Sequence, residues 1–186
     1  MEPVKSTIPS AVAWLVALLI ATGTATAWAA PAKAPFGDKV SAAITYYGRA
    51  SPYIGTAGLL KEGAIAEAKA LGFKTIINLL GPTEGAAAEK AAVEAAGLRY
   101  YNIPVTTRAP TLAQVKEFAA LLADASIYPV LVHCETANRV GAMWAMYRYE
   151  KGVPYEIAFE EGRAIGLTSR ENAARKTLGL PPAEKN

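Results

Sequence analysis

Cysteine and histidine are almost missing from these 186 residues: there is one of each, His133 and Cys134, side by side. A single cysteine excludes an intramolecular disulfide framework. One cysteine with one histidine also falls short of the ligand set of a typical zinc site, so neither a metal nor a cofactor is expected. Charge of one sign is scarce as well. Nineteen Lys and Arg stand against 16 Asp and Glu, a net charge of +3, and the basic residues are scattered among the acids. The nearest approach to a basic-aromatic patch, Arg99-Tyr100-Tyr101, reads better as a strand. Nucleic-acid binding therefore lacks the basic face it needs. Internal repeats and low-complexity tracts are absent too. What is plentiful is apolar material: 52% of residues are hydrophobic, enough to build the core of one domain and too much for a disordered chain.

No charged residue occurs from Ser6 to Ala32, and residues 11–20 form a compact apolar run. Small residues follow, ending in Ala27-Trp28-Ala29, the A-x-A pattern of a signal-peptide cleavage site. Residues 1–29 are thus expected to be a secretory signal and the mature chain periplasmic or secreted. Thr22, Thr24 and Thr26 dilute the second half of the stretch. If it stays uncleaved it is long enough to anchor the chain in a bilayer, the one case in which a membrane contact is expected. Residues 30–41, with Pro31, Pro35 and Gly37, read as a linker, and residues 42–186 as a single domain. In an exported chain a lone thiol is either a buried small hydrophobe or a nucleophile.

Apolar runs then alternate with Ala-rich amphipathic stretches. Strands are expected at residues 53–57, 74–80, 98–105 and 129–133, and helices at 62–71, 85–96, 111–125, 139–151 and 154–165. Thr111-Leu112-Ala113-Gln114 is a capping box at a helix start, and Thr168-Ser169-Arg170-Glu171 reads as a second one, opening a terminal helix through Arg175. Such alternation predicts an α/β fold of three layers, a mainly parallel central sheet with helices on both faces. Val140, Trp144 and Tyr147, at helical spacing, are assigned to the core.

The informative segment is Val130-Leu131-Val132-His133-Cys134-Glu135-Thr136-Ala137-Asn138-Arg139-Val140-Gly141. An apolar strand delivers the thiol to its C-terminal edge, where ligands bind in open α/β sheets. The helix that follows points its free N–H groups and positive dipole end into the loop, which favours a thiolate and cradles an oxyanion. Arg139 adds a planar fork that holds an oxyanion through two hydrogen bonds. Cys134 and Arg139 are the expected catalytic residues, with Glu135, Thr136, Ala137 and Asn138 forming the anion-binding loop. A Cys-His dyad is excluded because neighbours at a strand end face opposite ways. His133 is either a support that hydrogen-bonds backbone beneath the loop or a packed core residue.

This His-Cys-loop-Arg signature resembles the dual-specificity, cysteine-dependent phosphatase superfamily. Residues 51–169 resemble more specifically the beta-lactamase-hydrolase-like phosphatase-domain family, through Ser51-Pro52, Gly55-Thr56-Ala57-Gly58, Glu67-Ala68-Lys69-Ala70-Leu71-Gly72, Asn102-Ile103-Pro104-Val105 and Asn138-Arg139-Val140-Gly141. The resemblance implies a thiol-phosphatase fold and a hydrolase. Three departures stand out. Four residues separate Cys134 from Arg139, where the superfamily usually has five and rhodanese-like sulfurtransferases four. Ala137 stands where a loop glycine is expected, implying strain or a different turn, and Val140 replaces the usual hydroxyl after the arginine. The loop that usually carries an aspartic general acid is Thr106-Thr107-Arg108-Ala109-Pro110, with no acid. Glu84, in the turn after the 74–80 strand, is either a substitute acid on the same rim or a solvated turn carboxylate. Glu135 is expected to point away from the pocket, and Arg108 to be exposed or to touch substrate.

Three functions fit. The first is an exported phosphatase-like hydrolase acting on a small phosphoester through the Cys134 thiolate. The second is a sulfurtransferase that takes sulfur from a sulfane donor and carries it as a Cys134 persulfide. The third is an anion-binding or interaction module with little catalytic power.

Overall fold

The computed structural model describes residues 32–183; the expected signal segment, residues 1–29, lies outside them. Five strands form one sheet, β1 (Gly48–Ser51), β2 (Ile54–Ala57), β3 (Thr75–Asn78), β4 (Arg99–Asn102) and β5 (Val130–His133), in the order β1-β2-β5-β3-β4. β2, β5, β3 and β4 run parallel, and β1 is an antiparallel edge. Six helices accompany them among the described residues: α1 (Ala64–Ala70), α2 (Ala86–Ala95), α3 (Leu112–Leu122), α4 (Asn138–Glu150), α5 (Tyr155–Ala164) and α6 (Glu171–Thr177). The three-layer α/β arrangement expected from the sequence is the one observed. β1 is an addition: Gly-Arg-Ala-Ser is short and half-buried throughout and carries no apolar alternation to announce it.

The two-residue period of the strands sorts their side chains between two cores. Ile76 and Leu131 face one way and pack with Ala64 and Ala68 of α1 and Val93 of α2. Ile77, Val130 and Val132 face the other way, onto Phe118 of α3, Met143 and Met146 of α4 and Phe159 of α5. The described part of the expected 30–41 linker, residues 32–41, lies against the first of these cores. Ala34 is buried and donates its N–H to the Pro52 carbonyl at 2.9 Å. The Tyr47 hydroxyl donates to the Pro35 carbonyl at 2.8 Å, and burial pushes its pKa up to about 12.

The capping box at Thr111 forms as expected: Gln114 N–H donates to Thr111 Oγ1 at 3.2 Å, and Thr111 N–H to Gln114 Oε1 at 2.9 Å. The second expected box does not. α6 starts only at Glu171, after Arg170, with no side-chain cap. The Glu171 carboxylate is drawn instead to Arg163 and Arg175, at 2.8 and 2.9 Å, because two guanidinium groups outcompete one backbone N–H.

α4 is buried without a break from Arg139 to Met146. Its first turn meets α5 backbone to backbone, since a Cβ on Gly141 would lie 2.4 Å from Leu167 N and 2.7 Å from Gly162 O. Neither atom belongs to a side chain that could swing aside. Gly141→Ala is therefore expected to destabilise the domain by about 1–3 kcal/mol or more, read as a lowered urea midpoint with an unchanged slope.

Candidate active site

β5 lies at the centre of the sheet, so its C-terminal end is flanked by the ends of β2 and β3. Cys134 follows directly and is 1% exposed. The loop backbone is braced from β2: Leu59 N–H donates to Glu135 O at 2.9 Å, and a Cβ on Gly58 would stand 2.8 Å from that same oxygen. Gly58 is thus held to glycine by close approach. Ala137 takes φ +62°, the left-handed conformation anticipated where a glycine was expected. Its methyl group packs on Gly166, where a Cβ would come within 2.6 Å of Ala137 Cβ. From Glu135 to Arg139 no backbone N–H donates to an acceptor among the described residues. Such a row of free donors at the start of a thirteen-residue helix has the geometry to cradle an anion.

Arg139 is 6% exposed, and its charge is compensated from three directions. Nη1 donates to Glu84 Oε2 at 2.7 Å and more weakly to the carbonyls of Leu79 and Val105, both at 3.4 Å. Nη2 donates to Glu84 Oε1 at 2.5 Å. Glu84 therefore grips the end of the guanidinium fork, while Nε has no partner among the described residues. The Nε–H side of the guanidinium is the one left to meet an oxyanion, although Nη2 on that side already has Glu84 as a partner.

This pairing sets aside both readings of Glu84, the substitute acid and the solvated turn carboxylate. The hydrogen bond from Arg139 holds its carboxyl well below the usual range, at about 2, with the Gly81 N–H contributing at 2.7 Å. A carboxyl with that value has no proton to give at neutral pH, so Glu84 positions Arg139 and is not a general acid in this arrangement. Glu135 also differs from expectation. Its side chain is exposed, yet its carboxylate lies 3.7 Å from Arg139 Nη2. Asn138 contributes backbone to the loop, but its amide is turned away: Nδ2 donates to Ser169 Oγ at 2.9 Å, and Oδ1 accepts from Thr168 N–H at 3.0 Å. Thr136 is exposed on the rim and Arg108 is exposed in the 106–110 loop.

His133 and Cys134 face opposite layers, as their adjacency requires. The support beneath the loop is, however, a carboxylate and not backbone. His133 Nε2 lies 2.7 Å from Oε1 of Glu89 on α2, and Asn78 Nδ2 donates to the same oxygen at 2.8 Å. The Tyr100 hydroxyl accepts from Asn78 Nδ2 and donates to the Ala86 carbonyl, both at 3.0 Å. Glu89 was not identified from sequence, where it resembles any exposed helix charge; its distance of 44 residues from His133 leaves no local signal.

Arg170 was missed as a site residue for a similar reason. Its charge acts on Cys134, Arg139 and Glu84, and burial and the Arg139 charge lower its pKa. Val140 and Trp144 lie in the core as assigned, with Tyr147 packed against it. Among the described residues no cluster of His, Cys, Asp or Glu could hold a metal ion.

A family model described as DSP-PTPase phosphatase fused to NAD+ kinase matches residues 62–177. Among solved structures, a presumptive phosphatase from Neisseria meningitidis is 26% identical, with a TM-score of 0.60, covering 74% of this chain and 97% of its own. TpbA from P. aeruginosa, a cysteine-to-serine variant in complex with phosphotyrosine, is 25% identical, with a TM-score of 0.57 and coverage of 81% and 88%. The core catalytic domain of the PP-IP phosphatase SIW14 from S. cerevisiae shares 13% identity at a TM-score of 0.62, over 74% and 85% of the two chains. No curated protein matches.

The Glu84–Arg139 pair has a pH signature. A carboxyl whose folded pKa is depressed contributes stability above its unfolded value, near 4.5, and loses it as pH falls toward about 2. Wild type is expected to melt above Glu84→Gln at pH 6, and the gap to close between about pH 4.5 and 2 in thermal unfolding followed by circular dichroism.

Proposed function

The chain belongs to the DSP-PTPase phosphatase family that matches it over residues 62–177, and on that premise we propose that it hydrolyses small phosphoesters through the Cys134 thiolate. One observation carries the proposal: directly after Cys134, at the C-terminal end of the central strand, the backbone N–H groups of residues 135–139 and Nε of Arg139 have no acceptor among the described residues, and Arg139 feels the charge of Cys134. Three equatorial oxygens of a phosphoryl group under attack need such a bowl of donors, fixed before the reaction starts. Sγ attacks phosphorus, the ester oxygen departs with the bond's electron pair, and water then cleaves the thiophosphate to release phosphate. Glu84 keeps Arg139 in place and ionised, while the loop N–H groups carry much of the developing charge.

The phosphatase relatives support this reading over sulfur transfer, and the proposal needs no cofactor and no metal. The uncharged run before Lys33 and its A-x-A site support export to the periplasm or beyond.

Release of inorganic phosphate from an aryl phosphate tests the mechanism directly. Cys134→Ser is expected to lower kcat by at least about 10³-fold. Arg139→Lys, which cannot hold Glu84 and an oxyanion with one fixed fork, is expected to cost about 10²–10³-fold. Thiocyanate formation from thiosulfate and cyanide, with no phosphate release, would replace this reading with the persulfide one.

A further inference from the structure

On the far side of the loop the charges do not balance. Arg170 has no carboxylate within ion-pair distance among the described residues, and neither Arg108 nor Lys176 has one. The fold sets Arg170 within reach of the Arg108 charge and places Lys176 across a groove from Arg108. Asn138 ties the catalytic loop to Thr168 and Ser169, immediately before Arg170. Arg170 Nη1 in turn donates to the Thr107 carbonyl at 2.6 Å, fastening the 106–110 loop to the same rim. From Thr107 a groove of about 480 Å³ runs between that loop and α6, with Arg108 on one wall and Lys176 on the other. In a site that transfers phosphoryl groups, this loop is where a leaving group would be expected to depart, and it offers positive charge and no acid.

The chemistry of leaving groups gives that combination a meaning. An alkoxide has a conjugate acid near the pKa of water, about 16, and leaves slowly without a proton. Missing general-acid help costs about 10²–10⁴ in rate. A phosphate leaving group is different: its second pKa is about 6, so it departs as an anion with no proton supplied. Its extra negative charge is also what three unpaired cations would bind.

We propose that the substrates best suited to this site are phosphoanhydrides, with a terminal diphosphate whose second phosphate is held by Arg170, Arg108 and Lys176. The inference rests on the phosphatase reading above. Cys134 Sγ forms a bond to the terminal phosphorus while the bridging P–O bond breaks. The electron pair of that bond goes to the departing phosphate, which leaves as an anion. Water then attacks the thiophosphate, giving orthophosphate and the free thiolate, with its proton lost to solvent. No oxidant or co-reactant is required.

Wild-type enzyme distinguishes the possibilities without any substitution. Phosphate release is measured from inorganic pyrophosphate, from glycerol 2-phosphate and from aryl phosphates of graded leaving-group pKa. The expected result is a kcat/KM for pyrophosphate at least tenfold above that for glycerol 2-phosphate, and a steep fall along the aryl series as leaving-group pKa rises. Arg170→Ala and Lys176→Ala should each lower the ratio of pyrophosphate to p-nitrophenyl phosphate turnover at least tenfold, with Arg170→Lys recovering part of it. Equal use of glycerol 2-phosphate and pyrophosphate, or a flat aryl series, would overturn the anhydride assignment while leaving a Cys134-dependent phosphatase intact. Turnover that survives Cys134→Ser, or no turnover of any phosphate, would instead bring down the underlying reading.

Discussion

A guanidinium cannot be buried alone, and most of this site follows from how Arg139 is compensated. Uncompensated, its charge would cost several kcal/mol in a site only 6% exposed. The compensation comes from the turn after β3, through Glu84 and the Leu79 carbonyl, and from the end of β4, through the Val105 carbonyl. Arg139 itself is carried by the helix that follows β5. One side chain therefore draws together the C-terminal ends of three parallel strands, where an open sheet would otherwise leave a crevice between loops. Glu84 occupies the end of the fork, so the geometry that neutralises the arginine also aims it. Binding an oxyanion then adds partners to an arginine that is already ordered and loses little further entropy.

A second polar seam does the corresponding work on the opposite layer. Asn78 and His133 are register partners on adjacent strands, and both reach Glu89. Buried polar groups of this kind are tolerated only when they are paired, and once paired they specify one arrangement of strands and helix. The seam fixes where β5 ends relative to α2, and therefore where Cys134 emerges on the other face. His133 thus acts on the loop through strand position rather than by contact with the thiol.

Elements built from local pattern were legible in the sequence. The four parallel strands, the six helices and the Thr111 capping box follow from periodicity, glycine stops and a three-residue spacing. At Ala137 the sequence left strain or a different turn open, and the φ of +62° is the strained alternative. What escaped was decided by distance in space. The Thr168 box has the right residue types, but Glu171 found two arginines nearer than its own helix start. Glu84 read as a substitute acid or a solvated turn carboxylate until its partner 55 residues away was known. Glu89 and Arg170 are single charges on otherwise ordinary stretches, and no composition rule separates them from solvated ones. β1 escaped for the opposite reason, being an edge held by pairing with β2 and not by an apolar pattern of its own.

The short loop and the missing acid, which first counted against a phosphatase, can be reconciled with one by following the charge. An acid on the 106–110 loop would stand close to Arg170, which would hold it ionised much as Arg139 holds Glu84, and so deprive it of the proton that makes it useful. A carboxyl added there would be held in its charged form unless burial opposed the pull. The groups present are suited instead to holding anions, through the loop N–H groups above Cys134 and toward Arg170 beside them. On the phosphatase reading proposed above, the four-residue spacing need only hold a phosphoryl group over Cys134, and selection among substrates passes to what departs from it.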